Sequence, residues 1–513
     1  MAQIKYLYGA AVQGIQSFIF QTNKLKEIVG ASELVYDICT TFFDSFSTNG
    51  EVIQRAAGCV KHIFDNKEAC ASAVLNFPRK VMESAPGITV SQAVVRFEDM
   101  EQDRYREDET GKIYLSFRSA VNELEQRLRI QRNCPVRSVT CGLMGIRRSR
   151  ATGLPVIAQV GREYFDIATD KMRKKSGNAN QKLCESNFNK VDRERVVFDI
   201  NKMTGFNAWI AIVHIDGNGL GQIVQAIGTH KDNFKDFSHK LEDITICSTR
   251  KAFHILDRKY DFRKFIPMRP IVLSGDDHTL ICRADLAVEY VEAFFKTFEA
   301  ETKKQLGDIL SEGNLAFDHL TACAGIAFVK SSFPFHYGYR LAEELCSRAK
   351  ADAKLNEHKI NELPRSCLMF HKVQDSSVED YNTIVMRELI PWSGLTFEFG
   401  PYYMKENLSE TEKRCLTQRW SIEELKESLR YFDGKDGNAI KSNLRQWLIL
   451  LHKGPAVADL KLERLKSMIT EESKDQVSKI TTPISGRIPV YDLLVLYTML
   501  NQKIKEVDHG IGN

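Results

Sequence analysis

The sequence predicts an α+β protein with two copies of a βαββαβ unit, an inserted, mainly helical region between them, and a helical C-terminal part. Three observations predict this fold class: a weak internal repeat, helical periodicity in the intervals, and a change to Leu-, Lys- and Glu-rich sequence after about residue 400. A chain of 513 residues is also long enough for several domains. We place the predicted domains at residues 1–110, 111–200, 201–375 and 376–513.

The internal repeat consists of three pairs of similar segments. "YLYGAAVQGIQSFIF", from Tyr6, has the same order of strand, Gly turn and new element as "AIVHIDGNGLGQIV", from Ala211. A hairpin-like apolar segment, "AAGCVKHIF", then corresponds to "VLSGDDHTLI", and the strand-like "APGITVSQAVVRF" corresponds to "LTACAGIAFV". Two βαββαβ units are the simplest account of these pairs.

Helical patterns and loop patterns fill the remaining intervals. Ala284–Leu306 has the apolar spacing of an amphipathic helix, and Ser421–Glu424 ("SIEE") is a capping-box pattern that predicts a helix start. Gly145–Pro155 and Arg173–Lys182 are polar, basic and contain Gly, so we predict surface loops there.

Composition excludes several classes of protein. The apolar fraction of 43% and the charged fraction of 27% are typical of globular proteins, and no signal peptide or membrane-length apolar run is present. We therefore expect a cytoplasmic protein with no membrane partner. Among the twelve cysteines, no pair has Cys-x-x-Cys spacing; Cys134 and Cys141 could form half of a zinc site, but no adjacent second pair completes it.

The first candidate for chemistry is an acid at the end of a predicted strand. Asp216 ends the apolar run "AIVHID", and the chain then turns through Gly217, Gly219 and Gly221. Glycines at such a turn allow the backbone to approach a triphosphate and to offer it N–H groups. The pattern favours a carboxylate beside a turn whose backbone can contact a triphosphate.

The second candidate is the hairpin-like "SGDD". Gly275 permits a tight turn after Ser274, and Asp276 and Asp277 follow it. If this hairpin pairs with the strand that ends at Asp216, three carboxylates meet. Two-metal nucleotidyl transfer needs such carboxylates to hold two Mg²⁺ or Mn²⁺ ions, so we predict that these three aspartates are both metal ligands and catalytic residues.

Each motif alone has a plain structural interpretation. An isolated "SGDD" is most often a hairpin turn, and "DGNGLG" resembles a dinucleotide-binding loop but misses the G-x-G-x-x-G spacing by one position. No G-x-x-x-x-G-K-[ST] loop is present. The catalytic interpretation is favoured because both acidic motifs fall in one copy of the repeat, whereas the other copy lacks the acids.

A third element is "GIAFVKSSFPFHYGYRLAEELCSRAK", from Gly325 to Lys350. It predicts a strand, a loop and a helix that projects Lys350 as a cation. A lysine there can bind a triphosphate as a point charge, although a solvated helix lysine is an equally good interpretation.

Four segments in this order, "VQGIQSFIFQTNKLKEIVGASEL", "HIDGNGLG", "LSGDD" and the third element, resemble the large polymerase-cyclase subunit of type III CRISPR effector complexes. The resemblance covers most of residues 1 to about 370. It implies two ferredoxin-like palm domains, of which only the second has the acids, with ATP bound between the palms and converted into cyclic oligoadenylates. It also implies a guide-RNA ribonucleoprotein with other CRISPR subunits and target RNA as the activator.

The resemblance assigns roles to individual positions. Asp216 matches the first metal ligand, Asp276 and Asp277 match the GGDD acidic pair, Lys350 matches a phosphate-binding lysine, and Ser274 replaces the first Gly of that motif. The candidate nucleotide-binding residues, taken together, are Gly217, Asn218, Gly219, Gly221, Ser274, Gly275, Lys350, Gln16 and Ser32.

Departures from the family pattern refine these expectations. Asn218 stands where many members have a second aspartate, and Gln222 where many have lysine. The chain begins at the first palm-like segment and has no His-Asp dipeptide, so we do not expect it to cleave DNA. The paired-cysteine zinc module of many relatives is also not recognisable in the sequence.

Two other functions stay open at this point. The same site could transfer AMP to a different small acceptor, since the acid-free first palm, with Gly14, Gln16 and Ser32, would build the acceptor pocket. Alternatively the chain is mainly a scaffold that binds guide RNA and partner proteins, with basic segments Arg147–Arg150 and Lys171–Lys175 on phosphates.

Overall fold

A computed structural model gives the structure of the protein. The structure describes residues 3–56, 58–100, 102–133, 145–150, 152–188, 191, 193–205, 208–227, 231–355, 363–375, 379–392, 394–406 and 416–501. Cys134 and Cys141, considered above for a zinc site, lie outside these described residues.

The first palm is built on a six-stranded sheet with the strand order β2-β3-β1-β4-β6-β5. Its first four strands and their helices form the βαββαβ unit in the ferredoxin-like order. The strands are β1 (Lys5–Gln13), β2 (Glu51–Ala56), β3 (Cys59–Phe64), β4 (Thr89–Phe97), β5 (Tyr105–Asp108) and β6 (Gly111–Tyr114). The helices are α1 (Ile15–Ile19), α2 (Leu25–Cys39), α3 (Thr41–Asp44), α4 (Lys67–Ser84) and α5 (Phe117–Arg132).

The inserted region contains a two-stranded hairpin followed by helices. Its elements are β7 (Val156–Val160), β8 (Glu163–Asp166), α6 (Ile167–Lys182) and α7 (Ile200–Thr204). The prediction of a loop at Arg173–Lys182 was wrong, because this segment is the second half of α6. Packing explains the difference: α6 lies against α2 so closely that a Cβ on Gly30 would meet the Met172 carbonyl at 1.7 Å, and Lys175 pairs with Asp37 of α2.

The second palm repeats the first. Its sheet has the order β10-β11-β9-β12-β13-β14, so its first four strands match the order of the first palm. The strands are β9 (Trp209–Gly217), β10 (Met268–Ser274), β11 (Asp277–Arg283), β12 (Ala322–Lys330), β13 (Cys367–Lys372) and β14 (Tyr402–Tyr403). The helices are α8 (Leu220–Ile227), α9 (Lys231–Tyr260), α10 (Ala287–Glu312), α11 (Phe335–Leu355) and α12 (Tyr381–Ile384).

The C-terminal part is helical, which completes the predicted fold class. Its helices are α13 (Ile422–Leu429), α14 (Gly437–Leu451), α15 (Pro455–Met468), α16 (Glu471–Thr481) and α17 (Val490–Leu500). The capping box is confirmed: Glu424 N–H donates to Ser421 Oγ at 2.9 Å, and Ser421 N–H donates to Glu424 Oε2 at 2.6 Å. None of the helices in the described part combines the length and hydropathy that crossing a bilayer requires.

Candidate active site

Strand β9 carries Asp216 at its C-terminal end. The strand is central, paired with β11 on one side and β12 on the other, and its residues Ile210–Ile215 are buried. An apolar run buried on both faces of a sheet favours such a central strand. Asp216 is the register partner of Cys323 on β12. A well-paired strand thus fixes the backbone of the first carboxylate.

The "SGDD" segment forms the hairpin between β10 and β11, as predicted. Ser274 pairs with Asp277 across a two-residue loop, and Gly275 has a φ of 63°. Only glycine adopts this left-handed conformation without strain, which explains its place in the loop. The Thr245 hydroxyl of α9 donates to the Gly275 carbonyl at 2.6 Å. Helix α9 therefore stabilises the loop that carries Asp276 and Asp277.

Asp276 lies against the end of β9. A Cβ added to Gly217 would be 3.0 Å from the Asp276 Cβ, so a glycine at position 217 permits this approach. The carboxyl group of Asp276 lies close enough to that of Asp216 for the two to interact electrostatically. Burial, and then repulsion by Asp216, raise the pKa of Asp276 well above its usual range. Ionising both carboxyl groups at this distance is therefore unfavourable unless a cation neutralises them.

Asp277 adds the third carboxylate. Its Oδ1 atom is buried and has no hydrogen-bond partner among the described residues. Nδ1 of His214 lies 3.5 Å from this oxygen. Burial lowers the pKa of His214 to about 4, so this ring is neutral at pH 7. Burial and the neighbouring Asp216 and Glu343 raise the pKa of Asp277 to about 7.

Lys350 of α11 is the cation at the site. Its ammonium group donates to the Asp216 carboxylate and, at 2.8 Å, to the Gly217 carbonyl. Burial disfavours its charge, but Asp216 outweighs burial and raises the pKa of Lys350. The structure thus places Lys350 beside Asp216, one of the acids predicted from the sequence.

Two further residues at the site were missed by the sequence analysis. Glu343 and Tyr339 lie on α11, and both accept a hydrogen bond from Gln16 Nε2, at 2.9 Å each. Gln16 belongs to α1 of the first palm, so these contacts join the palms beside the acids. Positions 339, 343 and 350 lie on one face of helix α11. Their spacing relative to Lys350 is the sequence signal that could have identified Tyr339 and Glu343.

Asn218 faces the protein interior. It is 2% exposed, and its amide donates to Thr321 Oγ1 at 3.0 Å and to the Pro364 carbonyl at 3.4 Å. Its own N–H donates to the Thr321 carbonyl at 2.9 Å. The Asn218 side chain therefore stabilises the turn after β9. It does so by donating hydrogen bonds, which an amide can do and a carboxylate cannot.

The glycines after Asn218 begin helix α8. Gly219 has a φ of 70°, and a Cβ there would meet Leu363 at 2.2 Å. Gly221, in the first turn of α8, has open space where a Cβ would stand. The first N–H groups of a helix have no intrahelical acceptors and attract anions.

Ser32 contacts strand β10 of the second palm, and its hydrogen bond is not to the acids. Its hydroxyl donates to the carbonyl of Ile271 on β10, three residues before Ser274. This contact ties α2 of the first palm to the second palm. The residues that meet around one point are thus Asp216, Gly217, Asp276, Asp277 and Lys350, with Gln16 one contact away.

The side chains of the site have the chemistry of a divalent-cation site. In the part of the chain that the structure describes, no group of three or more His, Cys, Asp or Glu side chains is already arranged to hold a metal ion. The donor set nevertheless fits one: three carboxylates converge with one lysine, and the buried Asp277 Oδ1 has no partner. Carboxylate oxygens are the ligands that Mg²⁺ and Mn²⁺ prefer.

A cleft of about 850 Å³ lies beside this site, between α1 of the first palm and α11. Gln16 and Phe20 line one side and Tyr339, Glu343 and Arg348 line the other. The cleft is large enough for a nucleotide, since ligand pockets typically measure about 300–1,000 Å³.

Comparisons with known proteins find a matching family model for the second palm and matching solved structures for the fold of the chain. Residues 209–359 match the family model for the second palm domain of Cas10/Cmr2. No curated protein sequence matches the chain.

Solved structures match almost the whole chain at low identity. A crystal structure of a Csm1-Csm4 cassette in complex with AMPPNP matches with a TM-score of 0.56 and 12% identity, over 97% of this chain and 70% of that chain. A Csm1-Csm4 cassette in complex with cA3 matches with a TM-score of 0.53 and 12% identity, over the same shares. The Csm1-Csm4 subcomplex of the type III-A CRISPR-Csm interference complex matches with a TM-score of 0.52 and 11% identity, over 98% and 70%. Residues 209–359 are thus similar to the second palm domain of Cas10/Cmr2, and the fold of almost the whole chain is similar to that of Csm1.

Proposed function

We propose that this protein is a nucleotidyl transferase that joins ATP units through 3′-hydroxyl attack on an α-phosphate, with release of pyrophosphate and formation of a cyclic oligoadenylate. The observation that carries the proposal is the convergence of Asp216, Asp276 and Asp277 beside a cleft between the palms. The family match of residues 209–359 supports the same class of chemistry.

Asp216, Asp276 and Asp277 would hold the divalent cations. When bound, two Mg²⁺ or Mn²⁺ ions activate the attacking hydroxyl and neutralise the triphosphate. Lys350 contributes a fixed positive charge, because the ammonium that now binds Asp216 is equally suited to a phosphate oxygen. The glycines at 217, 219 and 221 let the backbone come close to that triphosphate.

The first palm would supply the acceptor side. Gln16 holds Glu343 and Tyr339 at the junction of the palms, and Ser32 fixes α2 to β10. We expect this arrangement to give one nucleotide pocket with the three aspartates and a second pocket without them. Csm1-Csm4 structures of the same fold were solved in complex with AMPPNP and with cA3, which supports a nucleotide substrate.

The same comparisons support a proposal about the partners. We propose that the chain works with other CRISPR subunits and a guide RNA, since the structures of the same fold are Csm1-Csm4 assemblies. Target RNA would then activate synthesis. The scaffold role is part of this proposal and does not replace catalysis, because a pure scaffold has no use for converged carboxylates.

Incubation of the protein with labelled ATP and Mn²⁺, with and without guide and target RNA, tests the proposal. We expect pyrophosphate release and an adenylate product whose mass gives its ring size. Addition of other nucleotides and small acceptors separates oligomer synthesis from AMP transfer. Absence of pyrophosphate under every condition would refute the proposed activity.

A further inference from the structure

A second large cavity lies between the first palm and the β7–β8 hairpin of the inserted region. Its volume is about 650 Å³. The residues that matter for its chemistry are Thr22, Lys24, Arg150, Arg162, Tyr164 and His336. His336, in the first turn of α11, also lines the cleft beside the acids, so the two cavities adjoin.

Thr22 lines this cavity and has a side-chain oxygen without a hydrogen-bond partner in the described part of the chain. The residue is only 6% exposed, and its Oγ1 is buried. Leaving a buried hydroxyl unpaired is unfavourable, so buried polar groups are normally satisfied. A ligand atom that accepts or donates a hydrogen bond would satisfy it.

The lining of this cavity has more positive than negative side chains. Glu163 is paired with Lys24 and Arg173, and Glu27 with Arg173. Arg150 and Arg162 are exposed, and neither has an ion-pair partner in the described part of the chain. Two guanidinium groups are thus left over, and guanidinium binds phosphate through paired N–H donors.

Aromatic rings complete the lining. Tyr164 and Phe165 lie on β8, each with an arginine over its ring at 4.2 Å: Arg147 over Tyr164 and Arg173 over Phe165. Nucleobases stack on aromatic faces and on guanidinium planes. Phe165 is buried, so the half-buried Tyr164 and the guanidinium planes are the stacking surfaces of this cavity. A cavity that combines these surfaces with surplus guanidinium groups suits a ligand with both a planar ring and a phosphate.

We infer that this cavity binds a nucleoside phosphate, with the phosphate at Arg150 and Arg162 and a polar atom of the ligand at Thr22. The ligand is either a free nucleotide or one unit of a single-stranded RNA. This site is separate from the three aspartates and needs no divalent cation, so it does not depend on the proposed catalysis.

Binding of AMP and of a labelled 5′-phosphorylated oligoadenylate, measured in EDTA, tests the inference. The double variant Arg150→Gln, Arg162→Gln should bind about tenfold or more weakly, because each arginine makes a charge-assisted contact. Thr22→Val should weaken binding several-fold. The double variant Arg430→Gln, Arg464→Gln removes the same charge from exposed positions on the C-terminal helical part and should bind like the wild type.

The probes and the acid-site variant distinguish the outcomes. AMP that binds as well as the oligomer identifies a free nucleotide, whereas binding of the oligomer alone, weakened by salt, identifies RNA. The double variant Asp276→Asn, Asp277→Asn should retain this binding. No binding of either probe, equal loss in the Arg430 and Arg464 control, or loss in the acid-site variant would overturn the inference.

Discussion

Nε2 of Gln16 lies 2.9 Å from Oε1 of Glu343, and this hydrogen bond joins the acid-free palm to the helix that carries Lys350. Glu343 in turn is close enough to Asp277 to raise the pKa of that carboxyl group. The first palm is therefore one side-chain contact away from the catalytic candidates, through residues more than 300 positions apart in the sequence.

Removal of this contact should affect activity more than folding. We predict that Gln16→Ala lowers the rate of ATP conversion about tenfold, because loss of one contact worth about 1.4 kcal/mol at the site changes a rate by that factor. The midpoint of thermal unfolding should stay close to that of the wild type. Gln131→Ala, an exposed position on α5, is the matched control; an equal loss of activity in both variants would contradict the role of Gln16.

Lys350 should act on triphosphate binding. We predict that Lys350→Met raises the KM for ATP and lowers kcat/KM by about 100-fold, because a buried charge-assisted contact contributes about 1.5–3 kcal/mol. Lys350→Arg should restore part of the activity, since it keeps the charge. Lys354→Met removes an exposed lysine one turn later on α11 and should leave the kinetics unchanged.

Asn218 should be needed as an amide. We predict that Asn218→Asp, which introduces the acid that the family resemblance leads us to expect here, destabilises the fold by about 1–3 kcal/mol, because a buried donor to the Pro364 carbonyl becomes an acceptor. Urea unfolding measures this change. Asn76→Asp is the control, because Asn76 also donates to a carbonyl, that of Ser72 at 3.1 Å, but on an exposed helix face. A stable Asn218→Asp protein with higher activity would contradict this account.

The pH dependence of stability should contain a contribution from Asp492. This buried carboxyl group accepts a hydrogen bond from the Tyr402 hydroxyl at 2.7 Å, and burial raises its pKa to about 7. A folded-state pKa above the unfolded value stabilises the fold fully below about pH 4, and that contribution is lost as the pH rises through 7.

The corresponding variant is Asp492→Asn. We predict that it raises the free energy of unfolding at pH 8 by up to about 4 kcal/mol, and by much less at pH 5, because the amide carries no charge to bury. Urea unfolding at both pH values checks this. Asp459→Asn, at an exposed position of α15, should show no such difference; the same pH profile in both variants would refute the assignment.

The sequence predicted the parts of the structure that depend on local patterns. An apolar run predicts the strand that ends at Asp216, and turn chemistry predicts the hairpin at Gly275. Both predictions need only the local sequence, without knowledge of the segments that pack against it. The repeat then predicted that the two segments share one sheet, which the pairing of β9 with β11 confirms.

Other features depend on contacts that are distant in the sequence. The helix at Arg173–Lys182 is stabilised by α2, about 140 residues earlier, and this tertiary packing overrides the polar, Gly-containing pattern. The interior role of Asn218 depends on Thr321 and Pro364, and the role of Glu343 depends on Gln16. None of these partners is indicated by local spacing.

The most direct measurement compares ATP conversion by the wild type and by the double variant Asp276→Asn, Asp277→Asn, with mass analysis of the product. The variant should fold, because the amides remove the repulsion between Asp276 and Asp216 without changing side-chain size. We predict pyrophosphate and a cyclic oligoadenylate from the wild type with Mn²⁺ and activating RNA, and neither from the variant. Equal product from a folded variant would contradict the central claim that these carboxylates form the catalytic site.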